Sequence, residues 1–111
     1  MTHRFKLDLG PFLSIKNKEK DIEMRLYDEK RQVVHKGDII VFYCLENNEE
    51  LRCLVVDLHI YKSFHELYFH FPKERLGYKS NENAHPDDMH KYYSEERIKQ
   101  YGVVGIEVKV L

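Results

Sequence analysis

Between residues 22 and 27, Ile22, Met24 and Leu26 alternate with Glu23, Arg25 and Tyr27, the period of two that marks a half-buried β-strand. Gly37-Asp38 then signals a turn. Residues 39–45 follow as seven consecutive apolar side chains rich in β-branched and aromatic types, which predicts a strand covered on both faces. The stretch Glu46-Asn47-Asn48-Glu49-Glu50 has turn composition and a second strand starts at Leu51, so the pair reads as a hairpin. In that second strand Leu54, Val56, Leu58 and Ile60 share one face, with Cys53, Asp57 and His59 on the other. Folding the hairpin about Asn48 sets Cys44 opposite Arg52 and away from Cys53, so no cross-strand disulfide is expected. The clearest alternation comes last: Val104, Ile106, Val108 and Val110 face one way, with Glu107 and Lys109 opposite.

Helices fill the gaps. Ser63-Phe64-His65-Glu66 fits a capping box, in which the serine hydroxyl and the glutamate each satisfy an unpaired backbone donor. Phe64, Leu67, Tyr68 and Phe71 recur at helical spacing until Pro72 stops the run. Ser94 with Glu95 and Glu96 opens another short helix, and Gly102 stands where a left-handed C-terminal cap is expected. Residues 11–17 suggest a third helix, and residues 77–88, with Asn81, Asn83 and Pro86, one long flexible loop. The order is strand, short helix, several strands, helices, strand. It predicts an α+β fold built on a small barrel rather than a doubly wound sheet.

Length turns this pattern into one domain, residues 1–111: the chain has 111 residues, 42% of them apolar, enough for one core but not for a multidomain enzyme. Any ligand site then belongs in a groove or at a barrel mouth. The seven-residue apolar run is far short of the roughly 20 residues that span a bilayer, so no membrane partner is expected. Two cysteines and the absence of a signal-peptide pattern, with Arg4, Lys6 and Asp8 interrupting the N-terminus, predict a reducing, cytoplasmic location. The formal net charge is −1. It is unevenly spread, because residues 1–36 carry nine basic and six acidic side chains. Lys16, Lys18, Lys20, Arg25, Lys30, Arg31 and Lys36 form a local positive patch, so a nucleic-acid contact would come from that patch and not from overall charge.

Most familiar chemistry is absent. His65 and His70 are five apart, which turns the second by about 140° on an ideal helix and breaks the zinc-protease spacing of four. His85 and His90 share that separation, and Cys44 and Cys53 lack a Cys-x-x-Cys partner, so no metal is expected. No phosphate-binding glycine loop and no Gly-x-Ser-x-Gly elbow occur, and no cofactor is implied. Tyr92, Tyr93 and Tyr101 are candidates for stacking on bases. The segment Lys20-Asp21-Ile22-Glu23-Met24-Arg25 carries more. Glu23 and Arg25 lie two apart on one strand face, turned away from Ile22 and Met24, and Lys20 sits at the strand mouth where it can turn toward them. Such a triplet can bind a phosphate or base edge, with the carboxylate accepting an exocyclic amine, or it can transfer protons.

Pro11-Phe12-Leu13-Ser14-Ile15-Lys16, Lys20 with Ile22-Glu23-Met24-Arg25-Leu26, Asp28-Glu29-Lys30-Arg31 and Lys36-Gly37-Asp38-Ile39-Ile40-Val41-Phe42 together resemble the ASCH domain of the PUA-like superfamily. Tyr61-Lys62-Ser63-Phe64, Met89 with Tyr92-Tyr93-Ser94, and Tyr101-Gly102-Val103-Val104-Gly105-Ile106 extend the resemblance over nearly the whole chain. It implies a small mixed or antiparallel β-barrel with short helices packed on one side, and a cleft whose floor carries the lysine, glutamate and arginine. ASCH and PUA-like domains are thought to bind RNA or modified nucleosides, and a bacterial branch hydrolyses the acyl amide of N4-acetylcytidine. Two departures stand out. Many relatives place glycine then lysine ahead of the motif lysine and threonine just after it, where this chain has Lys18, Glu19 and Asp21. The amidohydrolase branch has a threonine three residues after its lysine and a later glutamate; here Glu23 follows Lys20, and Glu74 is the candidate for the last.

The resulting expectation is an RNA-, nucleotide- or nucleoside-binding domain with a cleft lined by Lys20, Glu23 and Arg25, and with Lys16, Lys18 and Arg31 contacting phosphate. The alternative is a small amidohydrolase on N4-acylated cytidine, in which Lys20 attacks or deprotonates and Glu23 or Glu74 shuttles the proton. A protein-interaction adaptor is the third reading.

Overall fold

The computed structural model describes all 111 residues. The chain runs β1 (Thr2–Leu7), α1 (Leu9–Lys16), β2 (Ile22–Leu26), α2 (Glu29–Gln32), β3 (Ile39–Cys44), β4 (Glu50–Tyr61), α3 (Phe64–His70), two 3-10 turns (Lys73–Leu76 and Pro86–Lys91), α4 (Glu95–Tyr101) and β5 (Val103–Val110). The strands form one mixed sheet in the order β1-β3-β4-β5-β2, with β1 parallel to β3 and the other neighbours antiparallel. The sheet curls into a half-barrel, so the expected closed barrel is corrected: β1 and β2 remain edges. A side chain spans the gap in place of a backbone ladder, since Arg25 Nη2 on β2 donates to the Lys6 carbonyl on β1 at 2.8 Å.

The single core expected from length is divided by this sheet. On one face Phe5, Phe12, Ile40, Phe42, Val55 and Ile106 pack together with no appreciable exposure. On the other, Ile22, Met24 and Leu26 of β2 meet Phe64 and Leu67 of α3 and Ile98 of α4. Strand β5 serves both, Val104, Ile106 and Val108 facing the first cluster and Val103 the second, as its alternation predicts.

The hairpin of β3 and β4 forms, but its register differs from folding about Asn48. Asn48 takes a left-handed conformation (φ 60°) and its N–H donates to the Cys44 carbonyl, so the chain reverses earlier. Arg52 consequently pairs with Val41, and Cys53 with Ile40. Both cysteines are free and buried. The facial assignment of β4 is also corrected. Cys53 and Val55 point into the core and Val56 is exposed, and a bulge between Val55 and Asp57 then shifts the alternation by one residue so that Leu58 also packs on the core; Ile60 is exposed.

The two serine caps form at the helix starts. Ser63 Oγ accepts from Glu66 N–H and Ser94 Oγ from Arg97 N–H, capping α3 and α4. Gly102 has φ 72° and ψ −171°, so it has the expected positive φ but an extended ψ in place of the left-handed cap. A Cβ there would lie 2.9 Å from the Tyr61 carbonyl oxygen. The loop at residues 77–88 is tethered rather than free: Lys73 Nζ donates to the carbonyls of Ser80 and Glu82 at 2.9 and 2.6 Å, and a 3-10 turn begins at Pro86. No helix is long and apolar enough to cross a membrane.

Candidate functional site

Strand β2 lies at the sheet edge with its apolar side chains committed to the helical layer, so its odd-numbered positions face the opposite way, over the seam of the half-barrel. The α1–β2 turn delivers Lys20 to the same place. Ser14 O accepts from both Glu19 N–H and Lys20 N–H, and the lysine stem runs against Gly77, whose φ of 107° no ordinary side chain favours. Lys20 Nζ lies 2.9 Å from Glu23 Oε1, and Arg25 Nε donates to Glu23 Oε2 at 2.7 Å. The three side chains are 9%, 6% and 11% exposed. The strand alternation turns the pair away from the apolar layer, and it is buried there because residues of α1 and of the 73–93 segment line the seam around it.

Burial pushes the Glu23 carboxyl upward, but the charges and hydrogen bonds of Lys20 and Arg25 outweigh it and hold the group below the usual glutamate value. Burial likewise works against the Arg25 guanidinium, which Glu23 and the Tyr93 hydroxyl hold in its charged form. The carboxylate is therefore ionised and can only accept hydrogen bonds.

Above this floor opens a cleft of about 1630 Å³. Pro11, Leu13 and Ser14 of α1 form one wall, and Leu76, Tyr78 and Tyr93 part of the other. Tyr68 and Tyr78 share a hydroxyl–hydroxyl bond of 2.8 Å, and Tyr78 donates onward to Asp88 at 2.6 Å, which fixes that wall. Burial and the Asp88 carboxylate raise the Tyr78 phenol, keeping it a neutral donor. Only two buried side-chain polar atoms in the protein lack a hydrogen-bond partner, Glu23 Oε1 and Arg31 Nε. Lys20 is the ion-pair neighbour of the first but sits off its hydrogen-bond direction. Both residues line this cleft.

Two solved structures share the architecture. The crystal structure of hypothetical protein PH0355 is 33% identical over the full length of both chains, with a TM-score of 0.85. The solution NMR structure of protein PF0455 from Pyrococcus furiosus is 32% identical, covers all of this chain and 98% of its own, and has a TM-score of 0.79. The chain belongs to their family. No protein-family model matches it, and neither does any curated protein.

Among the residues singled out from sequence, Lys20, Glu23, Arg25, Arg31 and Glu74 line the cleft. Lys16 and Lys18 do not: Lys16 forms an ion pair with Glu49, and Lys18 is exposed in the turn before β2. Glu74 is exposed and makes no ion pair with Lys20. Tyr92 and Tyr93 line the cleft, whereas Tyr101 bonds to Glu29 elsewhere. Lys6, Lys79 and Lys91 are cleft residues that the sequence did not single out, since they come from three separated segments gathered only by folding. His65 and His70 point apart, as their spacing requires: His65 lies 3.6 Å from Asp87, and His70 stacks on Tyr61. Asp87 also has His85 and His90 at 3.6 and 3.9 Å, an exposed cluster around one carboxylate.

Proposed function

We propose that the protein is an ASCH-type domain that binds RNA or a free nucleotide or nucleoside through the base, in the cleft floored by Lys20, Glu23 and Arg25. The observation that carries this reading is Glu23 Oε1, an ionised acceptor on the cleft floor whose one neighbouring donor is the Lys20 ammonium, 2.9 Å away and without an aligned hydrogen bond. A buried acceptor without an aligned donor is costly, and a ligand N–H is a group that would supply one. Exocyclic amines and ring N–H groups of bases are such donors. Entry requires only that the flexible end of Lys20 move aside, because Arg25 continues to hold Oε2. Tyr92, half exposed, and Tyr93 offer aromatic faces beside the floor.

The ASCH pattern has glycine where this chain has Lys18, and Lys18 adopts φ 63°, the left-handed region that glycine favours. The turn that presents Lys20 therefore forms despite the substitution. The amidohydrolase reading has less support. Glu23 replaces the threonine, and Glu74 makes no ion pair with Lys20.

Calorimetric titration with cytidine, adenosine, guanosine and N3-methyluridine, whose base has no N–H donor, tests the proposal. The donor-bearing nucleosides should bind about tenfold tighter than N3-methyluridine or better, and Glu23→Gln should erase that preference. Equal affinity for all four, or none for any, refutes base recognition by Glu23. Turnover of N4-acetylcytidine, read from its ultraviolet spectrum and abolished by Lys20→Ala, would move the assignment to the hydrolase.

A further inference from the structure

The second orphaned atom belongs to another residue that lines the same cleft. Arg31, on α2, uses Nη1 to donate to both carboxylate oxygens of Asp28, at 3.1 and 2.9 Å. Its Nε is buried without a partner, and the side chain is 12% exposed. Nε and Nη2 form the edge of a guanidinium that grips two oxygens of one phosphate or carboxylate side by side, and this edge is the one Asp28 leaves unused.

The surroundings are positive. The guanidinium carbons of Arg25 and Arg31 and the ammonium of Lys30 all lie over the buried Phe5 ring, 5.3, 5.4 and 5.4 Å from its centre. Lys6, the next residue along β1, also lines the cleft. Asp28 and Glu23 are the carboxylates bound directly to these two arginines and Asp8 also lines the cleft, so four cations, Lys6, Arg25, Lys30 and Arg31, stand against three carboxylates. Each arginine carbon is within 5.4 Å of one ring centre, so the two are no more than about 11 Å apart. A single nucleotide spans that interval from its base edge to its phosphate.

We infer that Arg31, with Lys6 and Lys30 beside it, forms a phosphate seat, so that the preferred ligand is a phosphorylated nucleotide unit and not a bare nucleoside. The inference rests on the reading of the cleft as a base-binding site. Glu23 takes the donor edge of the base, and Arg31 takes the phosphate attached to the same sugar. Arg31→Met removes the fork; Arg31→Lys keeps the charge and loses the side-by-side geometry.

Calorimetry with cytidine and adenosine, their 5′-monophosphates, and the dinucleotides CpC and ApA measures the contribution. For the wild-type protein at low salt, the monophosphates should bind about tenfold tighter than the nucleosides, with an advantage that shrinks as salt rises. In Arg31→Met that advantage should vanish while nucleoside affinity stays unchanged, and Arg31→Lys should recover only part of it. Dinucleotides that outbind the monophosphates identify an internal phosphodiester, hence an RNA strand; the reverse order identifies a free nucleotide. Equal binding of nucleoside and monophosphate to the wild-type protein overturns the seat. So does an advantage that survives in a folded Arg31→Met variant.

The Arg31 Nε–H resonance, followed during titration with inorganic phosphate, separates this inference from the one beneath it. A phosphate-induced shift without any nucleoside binding removes base recognition and keeps the seat. Nucleoside binding with no phosphate shift does the opposite.

Discussion

Replacing Glu23 by alanine strands two buried cations, and the structure sets the scale of the damage. Lys20 Nζ and Arg25 Nε lie 2.9 and 2.7 Å from the Glu23 oxygens, and the three side chains are nearly excluded from water. Breaking such a buried pair from one side costs about 3–5 kcal/mol, because the remaining charge is left uncompensated. The cost is moderated by Arg25, which keeps its bond to the Lys6 carbonyl, and by Lys20, whose stem can swing into the open cleft. The lower half of that range, about 3–4 kcal/mol, is therefore expected, equivalent to roughly 12–16 °C in melting temperature for a domain of this size. Met24→Ala supplies the yardstick on the other face of β2, at about 2–5 kcal/mol for a lost core contact and its cavity.

The pattern across variants is more diagnostic than any one value. If the loss comes from stranded charge, the triple change Lys20→Met, Glu23→Leu, Arg25→Met should be less damaging than Glu23→Ala alone, because no ion is left behind. Urea unfolding followed by circular dichroism measures all three variants on one scale. A Glu23→Ala protein within about 1 kcal/mol of wild type would place the triplet with ordinary surface pairs and would refute the burial argument. A triple variant less stable than Glu23→Ala would show that the network is worth more than its desolvation cost.

Acid should reproduce the Glu23 effect. Its folded pKa is depressed below 4.5, so the stabilisation is fully present above that value and is lost as pH falls through the depressed folded value; the urea-midpoint gap between wild type and Glu23→Gln should hold from pH 8 to 5 and close below, and a gap unchanged at pH 3 contradicts the assignment. Gly77→Ala should cost about 1–3 kcal/mol from its φ of 107° and also weaken nucleoside binding, because the new Cβ would sit 3.0 Å from Lys20 Cδ. Gly37→Ala, at φ 87° with nothing within 4 Å, is the control for backbone strain alone, and equal loss of binding in both variants would remove Gly77 from the site.

What the sequence made legible was local. The serine caps at Ser63 and Ser94 and the alternation of β5 depend on neighbours a few residues away, and all three are present in the fold. The Lys20, Glu23 and Arg25 triplet was legible for the same reason, since strand period and one adjoining turn bring it together. Its burial was not, because α1 and the 73–93 segment supply the roof. A bulge part-way along β4 brings Cys53, Val55 and Leu58 to one face, and bulges leave no mark in an apolar run such as Leu54-Val55-Val56. Lys16 and Lys18 shared the charge block of Lys20 but not its direction: Lys16 closes α1 facing Glu49, and the left-handed Lys18 reverses the chain.

The open seam explains why charge belongs at this place in the fold. A closed barrel would bury both strand edges in backbone bonds and leave its interior to apolar side chains. Here β1 and β2 do not pair with each other, and Arg25 ties their outer edges by taking the Lys6 carbonyl with one nitrogen and Glu23 with another. The two carboxylate oxygens of Glu23 thereby acquire different duties. Oε2 is fixed to the arginine that holds the edges together, whereas Oε1 faces only the movable ammonium of Lys20. A ligand donor can replace that ammonium without releasing the latch, so occupying the cleft leaves the edges of the half-barrel tied. If instead Arg25 were drawn onto a ligand phosphate, the bond to Lys6 would be lost and the seam would loosen. Arg31, bound through Nη1 only to Asp28 on its own helix, can turn toward a phosphate at no such cost. The division of labour between the two arginines follows from which backbone each one holds.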